Sequence, residues 1–178
     1  MENLSPKERV LKAATQLFHQ NGYNATGINA IIEYAKVAKA SFYDHYKTKD
    51  DLGVVYLEHR HKFWFEGLTT VVEKQTTSKK KVTAVFEYIK EMNIKENYRG
   101  CAFLNMLSEI PRNDTKIYEV IHRHKSELQT FFQHLVNNKE QAFMIYMLFE
   151  ACLTESQLYQ NQDYIDKTIK LLSKNTFQ

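Results

Sequence analysis

The sequence has few of the residues that interrupt helices and few that cross-link a chain. It contains five glycines and two prolines among 178 residues, and it has no stretch rich in serine and proline. This composition favours an all-helical chain with short connections. The two cysteines lie far apart, and neither has a second cysteine or a metal-ligand spacing near it. Such usage is typical of a reduced cytoplasmic protein.

Long apolar runs and a large excess of charge are missing as well. The longest apolar run, Ala142–Phe149, is far shorter than the ~20 residues of a membrane-spanning helix, and the polar N-terminus does not resemble a signal peptide. We therefore expect a cytoplasmic protein that does not contact a membrane. The formal net charge is +3, which argues against non-specific coating of nucleic acid but leaves a localised DNA-binding face open.

One stretch in the N-terminal third carries the clearest pattern of the chain. The first of two short helices is predicted from apolar residues at helical spacing: Ile28, Ile31, Ile32 and Ala35. Thr26 is the candidate N-cap of this helix, and a break near Lys36 separates it from a second helix over residues 38–46. Thr48 and Asp51 have the spacing of a capping box at the start of the next helix. Two short helices joined by a tight turn make a helix-turn-helix.

The spacing of apolar residues predicts about nine helices in all. Helix 1 begins after Ser5, because Ser5 and Glu8 have capping-box spacing and Pro6 suits the first helical position. Helices 4 to 9 are predicted over about residues 49–74, 79–97, 101–110, 115–137, 139–159 and 164–173. Asn113 or Asp114 is the expected cap of helix 7.

The segment KVAKASFYDHYKTKDDL, which runs through the second short helix, resembles the DNA-binding signature of the TetR/AcrR family of bacterial repressors. The resemblance covers about residues 8–55, and it includes Gly22, Tyr23, Thr26, Ile31, Ala35, Val37, Tyr43, Tyr46, Lys49 and Leu52. The chain departs from the family pattern at three positions. Lys36 and Ala40 replace the usual glycines, and Ala38 replaces the usual serine or threonine. Because lysine adopts a positive φ only reluctantly, we expect a slightly altered or strained turn at Lys36.

The resemblance implies a ligand-responsive repressor that binds a palindromic operator in double-stranded DNA as a homodimer. It implies an all-α fold with an N-terminal three-helix DNA-binding unit over residues 4–52. Helix 4, from residue 49, would link this unit to a helical bundle over residues 53–178 that binds a small-molecule effector and dimerises. Effector binding would swing helix 4 and release the DNA.

The helix-turn-helix supplies the residues expected to contact DNA: Thr26, Ala38, Lys39, Ala40, Ser41, Tyr43, His45 and Lys49. Lys39 can reach a phosphate or donate to a guanine edge, whereas the alanines offer only apolar contact, for instance to a thymine methyl group. Thr26 and Lys49 lie at predicted helix starts, where free N–H groups hold phosphate. A lone surface lysine is usually only solvated, so the prediction depends on the whole pattern being in register.

Two further sets of residues are expected to carry the effector pocket and the dimer interface. The candidate pocket residues are Phe63, Trp64, Phe86, Tyr98, Cys101, Phe103, Tyr118, His122, Phe143 and Tyr146. Aromatic rings interleaved with polar groups suit a flat or aromatic ligand, although ordinary helix packing explains each residue taken singly. The candidate interface residues are Met144, Met147, Leu148, Ala151, Leu158, Ile165, Ile169 and Leu172. Helix 8 is apolar nearly all round and therefore needs cover on several sides.

Cys101 is a further candidate, since it follows Arg99 and Gly100 at a predicted helix start. A helix N-terminus and a nearby cation both make a thiol reactive, so we expect Cys101 to be partly exposed and able to sense electrophiles or oxidants. The alternative is a buried and inert thiol, which is the expectation for Cys152 inside helix 8.

The remaining motifs argue against enzymatic chemistry. His59 and His61, like His122 and His124, are two residues apart and point to different sides of a helix, so no metal site is predicted. The sequence shows no phosphate-binding glycine loop and no set of catalytic residues, so neither an enzyme nor a cofactor is expected. One alternative of another class stays open: a helical-bundle interaction protein whose helix-turn-helix, with its departures from the family pattern, no longer reads DNA.

Overall fold

The structure, a computed structural model, describes residues 4–111 and 115–174. These residues form helices and the connections between them, which confirms the predicted all-α class. The helices are α1 (Pro6–Asn21), α2 (Ile28–Ala35), α3 (Lys39–His45), α4 (Lys49–Glu73), α5 (Ser78–Lys95), α6 (Ala102–Glu109), α7 (Thr115–Leu135), α8 (Lys139–Tyr159) and α9 (Asp163–Lys174). Within the described ranges, these helices include none long and apolar enough to cross a bilayer. The expected cap of α7, Asn113 or Asp114, lies outside the described residues.

The described residues group into two compact units. The first takes in the described parts of Met1–His61 and Ala102–His122, and the second takes in those of Lys62–Cys101 and Arg123–Gln178. The helix-turn-helix segment therefore shares its unit with α6 and with the first part of α7. The domain boundary placed after residue 52 stays a prediction.

Local capping fixes the starts of α1 and α4. Ser5 and Glu8 form the predicted capping box, in which the Glu8 N–H donates to Ser5 Oγ at 3.3 Å and the Ser5 N–H donates to Glu8 Oε2 at 2.8 Å. The same exchange joins Thr48 and Asp51 at 3.1 and 3.0 Å. Each box satisfies N–H groups that a helix start leaves open, and both starts are therefore visible in the sequence.

α1 packs against α2 and α3 to form the core beneath the helix-turn-helix. The buried residues of these helices are Val10, Ala13, Ala14 and Phe18 in α1, Ile31 and Ala35 in α2, and Phe42 in α3. Complete burial of Phe42 contributes about 1.5–3 kcal/mol. Because α3 has only seven residues, too few to be stable alone, Phe42 and its buried neighbour Tyr46 hold the helix in place.

In the second unit, α5 packs against α8 and α9. Trp64, the only tryptophan of the chain, is buried there. It meets Tyr88 and Phe149 edge to face, with ring centroids 5.3 and 6.4 Å apart. The backbone of Gly67 lies directly beside Tyr88, since a Cβ atom at Gly67 would stand 2.0 Å from the Tyr88 hydroxyl. A side chain at residue 67 would therefore push α4 and α5 apart.

Candidate DNA-binding surface

The turn between α2 and α3 is built around a lysine in the left-handed backbone conformation. Lys36 has φ 52° and ψ 50°, and it ends α2 with its N–H donating to the carbonyls of Glu33 and Ile32. The Arg9 guanidinium donates to the Lys36 carbonyl at 3.0 Å and so ties the turn to α1. The positive φ expected to strain this lysine is confirmed, and this conformation costs a non-glycine residue on the order of 1 kcal/mol.

α3 exposes the residues predicted to meet DNA and buries one aromatic side chain. The exposed members are Lys39, Ala40, Tyr43 and His45, with Ser41 half-buried. Phe42 is the buried residue, and its ring meets Tyr43 edge to face at 5.2 Å. Ala38 precedes the helix, is exposed, and makes no side-chain cap bond. The helix thus presents an ammonium, an imidazole and a phenol hydroxyl while packing holds it from below.

Lys49, at the start of α4, belongs to the first unit and lies against the Tyr23 ring. Its ammonium stands 4.2 Å from the centroid of the Tyr23 ring, which is within range of a cation–π contact. Partial burial lowers the pKa of Lys49, while the carboxylates of Asp50 and Glu109 act in the opposite direction. The Tyr23 hydroxyl donates a hydrogen bond to Asp50, so the ring beside Lys49 is itself fixed.

Thr26 differs from its prediction in two ways. The N-cap of α2 is Gly27, so the predicted N-cap is wrong. The Thr26 hydroxyl is buried and donates to the carbonyls of Gly22 at 2.7 Å and Leu17 at 3.2 Å. Because these bonds close the turn after α1, the hydroxyl points inward, which corrects its assignment as a phosphate ligand.

α6 contributes a carboxylate that the sequence pattern does not reveal. Glu109 accepts a hydrogen bond from the Asn24 N–H at 2.6 Å, and its carbonyl accepts one from the Asn24 side chain at 2.7 Å. The carboxylate also lies against Gly22, where an added Cβ atom would stand 2.7 Å from Oε1. Gly22 has φ 93°, so its conformation and its surroundings both require glycine. Asn24 and Glu109 are 85 positions apart, and neither segment alone signals the pairing.

The candidate pocket residues are divided between the two units. Phe103, Tyr118 and His122 belong to the first unit, and the other seven belong to the second. The buried ones are Trp64, Phe86, Cys101 and Phe103, the half-buried ones Tyr98 and Tyr146, and the exposed ones Phe63, Tyr118, His122 and Phe143. A surface groove of about 750 Å³ between α4 and α5 is lined by none of the ten. The effector pocket therefore stays a prediction.

Cys101 lies beside a buried ion pair of the second unit. The Lys125 ammonium is 3.4 Å from Cys101 Sγ and 2.7 Å from both carboxylate oxygens of Glu150. Burial lowers the pKa of Lys125, but the charges of Cys101 and Glu150 outweigh burial and raise it overall. The expected partial exposure is wrong, because Cys101 is 9% exposed beneath these side chains. Cys152 is buried, as predicted; its thiol donates to Thr168 at 3.3 Å, and burial raises its pKa.

α8 and α9 place the candidate interface residues in different surroundings. Met144, Met147, Ala151 and Leu158 are exposed at helical spacing on α8, and we call them the apolar stripe of α8; Leu148 and Ile169 are half-buried. α9 packs against α5 and α8 and turns Ile165 and Leu172 inward. These two residues belong to the core of a single chain, which corrects their assignment to an interface.

A short exposed helix, set by a tight turn against α2 and supported by α1, defines a helix-turn-helix unit. The sequence model of one helix-turn-helix family, described as bacterial regulatory proteins of the tetR family, matches residues 10–53. Residues 10–53 therefore have the helix-turn-helix sequence pattern of the tetR family.

The similarity to known proteins extends beyond the helix-turn-helix. The chain is 30% identical over 92 residues to the HTH-type transcriptional regulator QacR of Staphylococcus aureus, which covers 52% of this chain and 47% of QacR. It is 30% identical over 67 residues to the HTH-type transcriptional repressor NemR of Escherichia coli, covering 38% and 34%. The matches thus span about half or less of the length of these relatives.

The fold is shared over nearly the whole chain with a solved structure. SCO4454, a TetR-family transcriptional regulator from Streptomyces coelicolor, aligns with a TM-score of 0.87 at 22% identity, covering 94% of this chain and 92% of that one. The nine described helices therefore adopt the TetR fold, with the helix-turn-helix near the N-terminus.

Proposed function

We propose that this protein is a transcriptional repressor that binds a palindromic DNA operator as a homodimer and leaves it when a small molecule binds. One observation carries the proposal: α3 combines the buried Phe42 with the exposed Lys39 and Tyr43 inside the segment that matches the family. α3 enters the major groove, where Lys39 donates to a phosphate or to guanine O6 and N7. Lys49 and the N-terminus of α4 hold a phosphate of the backbone.

The apolar stripe of α8 supports the homodimer. Met147 and Leu158 are 49% and 66% exposed, and the adjacent Phe143 is 65% exposed, although large apolar side chains gain about 1.5–3 kcal/mol each on full burial. When a second copy packs its apolar stripe of α8 against the same stripe of the first copy, both stripes are removed from water. Two-fold symmetry makes the two surfaces identical. The two α3 helices then meet half-sites about 34–36 Å apart, or a multiple of that spacing.

α4 supports a link between the effector and the DNA, because it contributes residues to both units. A flat or aromatic molecule bound in the second unit moves α4 and changes the spacing of the two α3 helices. Useful coupling requires the effector to prefer the released state by about 1–3 kcal/mol.

The proposal is tested by titrating the protein into labelled DNA taken from upstream of its own gene, at physiological salt. The wild-type protein should prefer a palindrome in this DNA over a shuffled sequence by about 10³-fold or more. Lys95→Ala, which removes a charge from the exposed part of α5, serves as a control and should leave this preference unchanged. Equal affinity for both DNAs would refute the repressor and would support the helical-bundle interaction protein.

The ammonium beside Cys101 favours a second, covalent route to release. Lys125 stands 3.4 Å from Sγ, and a neighbouring cation is a feature of reactive thiols. A quinone or another α,β-unsaturated carbonyl compound adds to Cys101 in this route. The sulfur–carbon bond forms as the carbon–carbon double bond opens, and the thiol proton ends on the α-carbon, so neither an oxidant nor a reductant is needed.

The covalent route is tested by brief treatment with a quinone, mass mapping of both thiols and a DNA titration. Cys101 should be labelled before Cys152, and labelling should weaken operator binding about tenfold or more, within the usual range of allosteric coupling. Cys101→Ser should abolish the response. Lys125→Met combined with Glu150→Gln removes the cation together with its partner and should slow labelling. Equal labelling of both thiols, or unchanged affinity after Cys101 is fully labelled, would leave a reversible effector.

A further inference from the structure

The carboxylate of Glu109 lies next to the site proposed for a DNA phosphate. Glu109 accepts the Asn24 N–H at 2.6 Å and lies against Gly22, so it contacts the residues on both sides of Tyr23. The Tyr23 ring in turn has the Lys49 ammonium 4.2 Å from its centroid. The last residue of α6 thus brings a negative charge to the cation that opens α4.

Asp50 supplies a second negative charge at the same place. It accepts the Tyr23 hydroxyl and follows Lys49 in the chain. Asp51 is engaged elsewhere, since it bonds Lys116 at 3.0 Å and completes the cap of α4. The Lys49 ammonium therefore stands over the Tyr23 ring, and the charges of Asp50 and Glu109 also act on it. An aromatic ring and a carboxylate both attract a cation, as a phosphate does. The pKa of Lys49 agrees with this position, because partial burial lowers it and the two carboxylates oppose the change.

We infer that Glu109 competes with the operator phosphate for Lys49 and thereby sets the affinity of the first unit for DNA. When Lys49 binds a phosphate, it gives up its electrostatic attraction to Glu109. The phosphate contact must therefore offset that lost attraction. Any movement of the end of α6 then changes the charge that faces Lys49, and DNA affinity changes with it. The inference rests on the proposed function, since it takes Lys49 as a phosphate ligand.

Glu109→Gln separates this competition from the structural role of Glu109. The amide oxygen of glutamine still accepts the Asn24 N–H, whereas the negative charge is gone. Operator binding should become about two- to fivefold tighter, the size of one partly exposed charge pair. In a Lys49→Ala background the gain should fall to less than half, because only direct repulsion between Glu109 and the DNA remains.

Glu91→Gln is the matched control, because it removes the same charge from an exposed residue of α5 in the second unit. Its effect on operator affinity should be smaller than that of Glu109→Gln. An equal effect of the two variants, a gain that survives intact without Lys49, or weaker binding of Glu109→Gln would each overturn the inference.

A second measurement does not depend on DNA. NMR titration of the Lys49 side chain should give a lower pKa in Glu109→Gln than in wild type, because the carboxylate that raises it has been removed. An unchanged pKa would show that Glu109 does not hold Lys49 and would overturn the inference by itself. If the wild-type protein prefers no palindrome, the proposed function fails, and the titration still decides whether the two residues are coupled.

Discussion

α3 and α8 use their exposed side chains in opposite ways. α3 has seven residues, buries Phe42 and exposes polar groups such as Lys39 and His45. α8 has 21 residues, and it exposes Met147 and Leu158 although its opposite face is already buried in the second unit. The surface of α3 is complete in one chain, because water satisfies its polar groups. The surface of α8 is not complete in one chain, because burial of its exposed apolar area against a partner would be favourable.

A charge in the apolar stripe of α8 should have the largest effect. Met147→Glu places a carboxylate where the proposed dimer excludes water, and an unpaired buried charge costs several kcal/mol. We expect monomers at micromolar concentration in sedimentation velocity and operator affinity lower by at least about 100-fold, since each monomer meets one half-site. Met147→Leu keeps an apolar side chain and should behave as wild type. A monomeric wild-type protein at the same concentration would contradict the contrast drawn with α3.

Removal of the ammonium of Lys39 should have the next largest effect. Lys39→Ala is expected to lose about 1–3 kcal/mol of discrimination at one base pair of each half-site, measured with a panel of operators that carry single base changes. Lys47→Ala is the matched control, because the Lys47 ammonium bonds the Tyr43 carbonyl and should not read bases. Uniform weakening of Lys39→Ala across the panel would make Lys39 a phosphate ligand and move base readout to another residue.

Relief of the turn before α3 should have a smaller effect, and one of opposite sign. Lys36→Gly should raise the free energy of unfolding by about 0.5–1 kcal/mol, because glycine adopts the positive φ of this position without strain. Urea unfolding measures the change. Lys36→Ala removes the same charge but keeps a Cβ atom, so it should give little or no gain. Equal stability of the two variants would show that the turn is not strained.

Acid should reveal the smallest effect, at the start of α4. Hydrogen bonds with the Lys116 and Thr48 side chains lower the pKa of Asp51 in the folded chain. The carboxylate therefore stabilises the fold above its unfolded pKa of about 4, and this contribution is lost as the pH falls through the lower folded pKa. Because Asp51 and Lys116 are partly exposed, this contribution to stability is small.

Urea unfolding of wild type and Asp51→Asn from about pH 6 down to about pH 3 measures this contribution. The stability difference between the two proteins should shrink as the pH falls. Asp44→Asn removes an exposed carboxylate of α3 and is the control for the loss of one negative charge. A difference that stays constant over this range would mean that the Asp51 carboxylate contributes nothing through its charge.

Most helix boundaries could be predicted because capping and apolar spacing act over a single turn. The range predicted for helix 8 is confirmed at both ends, where the Asn138 side chain accepts the Gln141 N–H and Gln160 adopts the left-handed conformation. Thr26 shows the limit of such local signals. A threonine before a helix suits either an N-cap or a bond back to the preceding turn, and only the fold decides between them.

Contacts between distant segments could not be read from spacing. Lys125 reaches Cys101 across 24 positions of the chain, and the candidate site gained Glu109 in the same way. α9 shows a clear apolar face in its sequence, yet Ile165 and Leu172 pack inside their own chain. Periodicity reveals that a face must be covered, but it does not say whether the cover is the same molecule or a second copy.

Trp64 makes the second unit its own optical reporter. The chain has one tryptophan, and it lies in that unit against Tyr88 and Phe149. Selective excitation of this indole gives fluorescence whose wavelength and intensity depend on polarity and quenching in the second unit. The first unit contributes no tryptophan emission. An effector that enters the second unit changes the signal directly, and DNA at α3 changes it only through a rearrangement of the second unit. Unlabelled protein, mixed with each partner in turn, can thus time the two events separately.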